Sequence, residues 1–187
     1  MPKIQLSDFA TSENTQTTNS IQEVGPGKKT VLAVGHEYFT INDKPVVSVR
    51  FVCLQDHDHA DDEGNVLTDT FFLNDKAIWR IARYALATGW KEAFDPEIEE
   101  ELMQVMMAGP VTVSVKLEQN GQYTNRRVTR YDPSVIKISD DQKSLVESAE
   151  SHWAGYLSWR SKNPRPGQRS MSAGKSQKQD QYDDIPF

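Results

Sequence analysis

Lys116, Tyr123, Arg126, Arg127, Arg130 and Tyr131 crowd positive charge and aromatic rings into one short span. Cations answer phosphates and aromatic faces stack on bases, so the combination suits a flexible single strand of nucleic acid. Tyr38, Arg50 and Phe72 repeat the same chemistry further up the chain. Strict alternation would place Val47, Val49, Phe51 and Cys53 in a core and leave Ser48 and Arg50 facing outward. Thr68, Thr70 and Phe72 share one face of another strand, so Phe72 is either a stacking ring or a core ring, and Tyr38 has the same two readings. On the last strand Val128 sits at alternate positions with Arg126 and Arg130, and spacing alone leaves their direction open.

Other groupings invite different chemistry. His57 and His59 lie within Asp56, Asp58, Asp61, Asp62 and Glu63, a donor set for a divalent ion. The stretch fails the calcium-loop pattern, because Asp61 stands where glycine is needed. It also lacks a second ligand cluster of the kind catalytic zinc sites use, so a solvated hairpin loop is the expectation and a metal is left open. No glycine-rich phosphate loop and no local nucleophile–base arrangement occurs, so neither an enzyme nor a cofactor is expected. The single cysteine, Cys53, lies among strand-type apolar residues and reads as a small core hydrophobe. One cysteine excludes an internal disulfide and suits a reducing cytoplasm. The first residues show no secretory pattern and no apolar run approaches membrane-span length, so no membrane partner is expected.

Asp183, Asp184, Ile185, Pro186 and Phe187 form a third grouping. The Phe187 ring can fill an apolar pocket while its free carboxylate meets a Lys or Arg at the rim. The two aspartates steer the segment onto a basic surface, and Pro186 lowers the entropy lost on docking. Residues 161–187 are too polar to pack a core and read as a flexible linker ending in a protein-binding tip. The formal charge is −6 over the whole chain, but it is unevenly spread. Residues 28–109 carry −7, residues 110–139 carry +3, residues 160–178 carry +6, and the last nine carry −3. Positive charge is therefore concentrated where the first grouping lies and in the linker.

These groups need a scaffold. Residues 1–26 show no periodicity and read as disordered up to Gly25-Pro26-Gly27. Strand patterns follow over residues 30–41, 45–54 and 66–73, with a turn at Asn42-Asp43-Lys44. A helix then carries Ile78, Trp79, Ile81, Ala82, Ala85 and Leu86 on a broad apolar side and ends at Gly89. Asp95-Pro96 opens a second helix, buried through Ile98, Leu102, Val105 and Met106. Residues 111–118 alternate cleanly, Asn120-Gly121 signals a hairpin, and residues 122–131 return. Val135, Ile136 and Ile138 suggest a short closing strand. Leu145, Ala149, Trp153, Tyr156 and Leu157 mark an amphipathic helix over residues 140–160, expected to pack on the sheet or to serve association. The expectation is a mainly β chain: a five-stranded OB-type barrel over residues 27–139, with a two-helix insert between strands 3 and 4, a C-terminal helix and disordered tails.

The terminal Asp-Asp-Ile-Pro-Phe behind a low-complexity linker resembles the tip of bacterial single-stranded-DNA-binding proteins. In outline, residues 27–138 are also similar to phage-encoded single-stranded-DNA-binding proteins with a helical insert after the third strand. The resemblance implies an OB-fold that coats single-stranded DNA and a tip that recruits replication, recombination and repair enzymes. The N-terminal strand motif of bacterial members is missing, so a homo-oligomer is left open. The alternative is an adaptor whose barrel binds protein and whose tip docks on replication proteins.

Overall fold

Asn42 and Asp43, both at positive φ (50° and 61°), turn the chain between β1 (Gly27–Ile41) and β2 (Lys44–Asp56). Two consecutive left-handed residues match the twist of the flanking strands, and Asn and Asp tolerate that conformation best among residues with a side chain. The computed structural model describes residues 22–58 and 60–164, Ala60 by its backbone alone. Residues 1–21, His59 and residues 165–187 with the terminal tip lie outside the described residues, and with them the expectation of disordered tails. β3 (Val66–Phe72), α1 (Ile78–Thr88), α2 (Glu99–Met106), β4 (Val111–Asn120), β5 (Tyr123–Pro133) and α3 (Asp140–Lys162) follow among the described residues. The fold is mainly β, a five-stranded antiparallel sheet with three helices, in the strand order β3-β2-β1-β4-β5.

Alternation along β2 builds two separate cores. Val47, Val49, Phe51 and Cys53 point inward with Val31, Val113, Ile81, Tyr84, Leu102 and Met106, as their spacing predicts. Val52 and Leu54 point the other way and meet Val34, Val66 and Ala149 beneath α3. Burial pushes the Cys53 thiol up to about 12, so it acts as packing volume with no reactive thiolate. α3 starts in a capping box, in which the Ser139 side chain accepts from the Gln142 N–H and the Gln142 side chain accepts from the Ser139 N–H. It closes on the sheet through Trp153, whose ring lies over Gly35. A Cβ at Gly35 would stand 2.0 Å from Trp153 Cδ1, so only glycine admits that ring.

Several expectations need correction. Residues 22–26 are docked, with Val24 wholly buried. The Val24 N–H donates to Val66 O (2.9 Å) and the Val66 N–H to Gln22 O (2.8 Å), extending β3's edge with a short parallel bridge. Trp79 and Leu86 are 55% and 70% exposed, because the predicted apolar side spans more of α1 than one core can cover. Tyr84 is buried in their place, its hydroxyl donating to Met106 O (2.7 Å). Asp95 caps a turn by accepting from the Glu97 N–H (2.9 Å), and α2 begins only after Ile98. Residues 134–138 form no strand, with Val135 almost fully exposed. Ser161 and Lys162, predicted as linker, are the last residues of α3.

Antiparallel pairing of β1 with β2 and β4, of β2 with β3 and of β4 with β5 makes the outer strands β3 and β5 run the same way. The sheet curls until these two edges approach each other. Side chains span the gap at Asp69, where Arg80 Nη2 donates to both carboxylate oxygens (3.0 and 2.8 Å) and the Tyr131 hydroxyl donates a further hydrogen bond. Arg80 also donates to the Tyr131 hydroxyl (3.1 Å) and to Val128 O (3.4 Å). Nearer the start of β3, Arg126 of β5 donates from Nε to Val24 O (2.6 Å) and pairs with Glu23.

Candidate nucleic-acid interface

A β-bulge decides which β5 side chains face outward. Ser114 pairs with Arg130, Val115 with Val128 and Lys116 with Arg127, leaving Thr129 as the extra residue. Ser114 and Lys116 lie two apart on β4 and share a face, so Arg127 and Arg130 share it too, although they are three apart. Val128 and Arg126 belong to the opposite side, with Tyr131 returned there by the bulge. The parity left open by spacing is thus settled: Arg127 and Arg130 are exposed, and Val128 is buried.

α1 faces this strand. Ile81, Tyr84 and Ala85 enter the core, which turns Trp79 and Arg83 outward one helical turn apart. The Arg83 guanidinium stands 5.4 Å from the centre of the Trp79 ring. Between helix and strand lies a cleft of about 160 Å³ lined by Trp79, Arg80, Arg83, Arg127, Val128, Thr129, Arg130 and Tyr131. A broader opening of about 460 Å³ continues along Arg83, Leu86, Ala87 and Arg130 to Asp132 and Pro133. Arg127 pairs with Glu118 (3.1 Å) and Arg130 with Asp132 (2.7 Å). Both arginines are about two-thirds exposed at the side chain, and exposed pairs of this kind contribute little and exchange readily for phosphate. Arg80 is committed to Asp69. Burial pushes the Asp69 carboxyl and the Tyr131 phenol up, against the pull of Arg80 on both.

The predicted site residues divide. Lys116, Arg127 and Arg130 come together on the outer face, and Tyr123 is exposed beside Gly121 at the hairpin tip. Arg126 is tied instead to Val24 and Glu23. Tyr38 is partly buried against the core, edge-on to His36 (5.7 Å), and burial with Glu99 and Glu100 nearby pushes its phenol up. It therefore offers no open stacking face. Arg50 faces outward from its strand as alternation predicts, but α3 covers it, and burial lowers its pKa. Phe71 is the core ring of β3, and Phe72 is only partly buried on the face shared with Thr68 and Thr70. The tip residues Asp183, Asp184, Ile185, Pro186 and Phe187 lie outside the described residues.

Trp79 and Arg83 were missed as site residues. Their i, i+4 spacing carried the signal, since a Trp and an Arg on one helical face form an amphipathic pair suited to the surface. Asp56, Asp58 and Asp62 of the acidic loop hold the fold, whereas a solvated loop was expected, and His59 lies outside the described residues. Lys29 is buried between Asp56 (2.6 Å) and Asp62 (2.8 Å). Burial works to lower its pKa, but the two carboxylates prevail and raise it. His57 shares a hydrogen bond with Thr30 (2.9 Å), and Asp58 accepts from the Lys28 N–H (2.7 Å). Among the described residues no group of three metal-ligating side chains is assembled. No helix among them is long and apolar enough to cross a membrane. The chain matches no protein-family model and no curated protein sequence.

Proposed function

We propose that the protein binds single-stranded DNA without sequence preference and recruits replication, recombination and repair enzymes through its C-terminal tip. The observation that carries this reading is the α1–β5 cleft, where an exposed tryptophan and the exposed cations Arg83, Arg127 and Arg130 surround a space open to a strand. Bases stack on the indole while phosphates exchange for Glu118 and Asp132 at the arginines. Lys116, beside Arg127 on β4, and Tyr123 at the hairpin tip extend the path.

The strand order, the parallel approach of β3 and β5, and the helices between β3 and β4 support reading the curled sheet as an OB-type barrel. The sequence of the tip supports the recruiting role. Titrating the full chain with oligo(dT) while following tryptophan fluorescence tests DNA binding. Quenching that weakens as salt rises is the expected result. No response at low salt overturns the reading in favour of a protein-binding adaptor.

Removal of Phe187 tests the tip separately. Partner recovery from cell extract should collapse, since a buried aromatic anchor of this kind typically carries about 2 kcal/mol or more. Oligo(dT) affinity should hold level or rise slightly, because an acidic competitor for the cleft is weakened. Equal recovery with and without Phe187 would remove the recruiting role.

A further inference from the structure

On the far side of the sheet, α3 closes a chamber of about 130 Å³ against β1, β2 and β3. Glu37, Ser48, Arg50, Thr68, His152, Trp153 and Tyr156 line it. Arg50 is anchored there at one end only, where Nη1 donates to Thr68 Oγ1 (2.6 Å). Its Nε is buried and finds no acceptor among the described residues, and neither does the buried Trp153 Nε1. Two N–H donors, one on a guanidinium, thus belong to side chains that line one small space and have no partner among the described residues, and buried donors in that state are strongly disfavoured.

The charges around the chamber point the same way. Glu37 is engaged by the Tyr156 hydroxyl (3.3 Å) and by Arg160 (3.9 Å). Arg50 and Arg160 set against Glu37 leave one positive charge. Burial and the nearby Arg50 lower the His152 pKa, so at neutral pH its imidazole adds a polar edge and no charge. Ser48 and Thr68 bring hydroxyls of either polarity.

We propose that this chamber binds one small oxyanion of the phosphate class, held by Arg50 and Trp153 with help from the Ser48 and Thr68 hydroxyls. Donors on a charged guanidinium favour an ionised oxygen over water, and a recess of about 130 Å³ has room for one tetrahedral ion. The site is separate from the α1–β5 cleft and stands whether or not that cleft binds DNA.

The test is a titration of the full chain with inorganic phosphate, balanced with chloride to constant ionic strength, followed by indole N–H resonances and by melting. The Trp153 resonance, identified by its loss in Trp153→Phe, should move to saturation, and Tm should rise above the chloride control. Trp153→Phe keeps a ring over Gly35 and should weaken phosphate binding by about tenfold. Arg50→Met should abolish the added stabilisation. If Arg50→Met does not fold, the wild-type resonance and the Trp153→Phe affinity still decide. A Trp153 resonance unmoved by phosphate, or equal stabilisation of wild type and Trp153→Phe, overturns the site. Oligo(dT) added to the phosphate-loaded protein distinguishes the source of the anion. Phosphate binding left intact, the expected result for a site on the far side of the sheet from the cleft, assigns the free ion, and displacement assigns the backbone of a strand.

Discussion

Three arginines stand within five residues on β5, yet they serve two ends. Arg127 and Arg130 face solvent with exposed acids as partners, whereas Arg126 holds the docked segment at Val24. Replacing Arg127 and Arg130 with alanine should weaken oligo(dT) binding and lower the log–log salt slope by about 0.7 for each phosphate no longer neutralised. Arg126→Ala should leave that slope near wild type and reduce stability by about 1.5–3 kcal/mol, read from urea unfolding. Trp79→Ala should cost about 1–3 kcal/mol of oligo(dT) affinity with little change in Tm, because half the ring is already in water. Unchanged affinity in that variant would take the indole out of the path. The identity of these residues as cations and rings was legible in the sequence, but their direction was not. A one-residue bulge at Thr129 shifts the β5 alternation, and nothing in the residue types announces where it falls.

At the scale of elements, local chemistry read well wherever one residue controls the backbone. Asn42-Asp43 and Gly121 make the tight turns, and Gly89, left-handed at φ 84°, ends α1 as its position predicts. Legibility failed where tertiary packing decided. Asp95-Pro96 has the form of a helix start, but Asp95 is spent on a turn. Val135, Ile136 and Ile138 look like strand residues, yet residues 134–138 pair with no strand among the described residues, and the two isoleucines pack beneath α3 instead. Docking of α3 itself rests on a missing side chain. Gly35→Ala should drive a methyl into the Trp153 ring and destabilise the protein by about 1–3 kcal/mol, seen as a lower urea midpoint and increased exposure of Trp153. A midpoint equal to wild type would mean that α3 yields at no cost.

Across the whole molecule, the net charge of −6 says little about partners, because acids and bases are segregated. Four of the acids are occupied in holding the fold: Asp56 and Asp62 on Lys29, Asp69 on Arg80, Glu23 on Arg126. Arg80→Met should strand the buried Asp69 carboxylate and destabilise the protein by about 3–5 kcal/mol in urea unfolding. Stability within about 1 kcal/mol of wild type would show that Asp69 simply takes up a proton, the neutral form that burial already favours. The way the sheet's two edges meet has a further consequence for folding and solubility. Tyr131 and Asp69 lie 62 positions apart in the chain, on strands linked only through β2, β1 and β4, so their contact depends on those pairings and belongs late in folding. Until the Arg80 and Tyr131 side chains bridge to Asp69, nothing at that point holds the β3 and β5 edges near each other, and each stands open to a strand from another molecule. Arg80→Met should therefore refold with rising losses to association as protein concentration increases, while wild type, once latched, stays monodisperse on the same timescale.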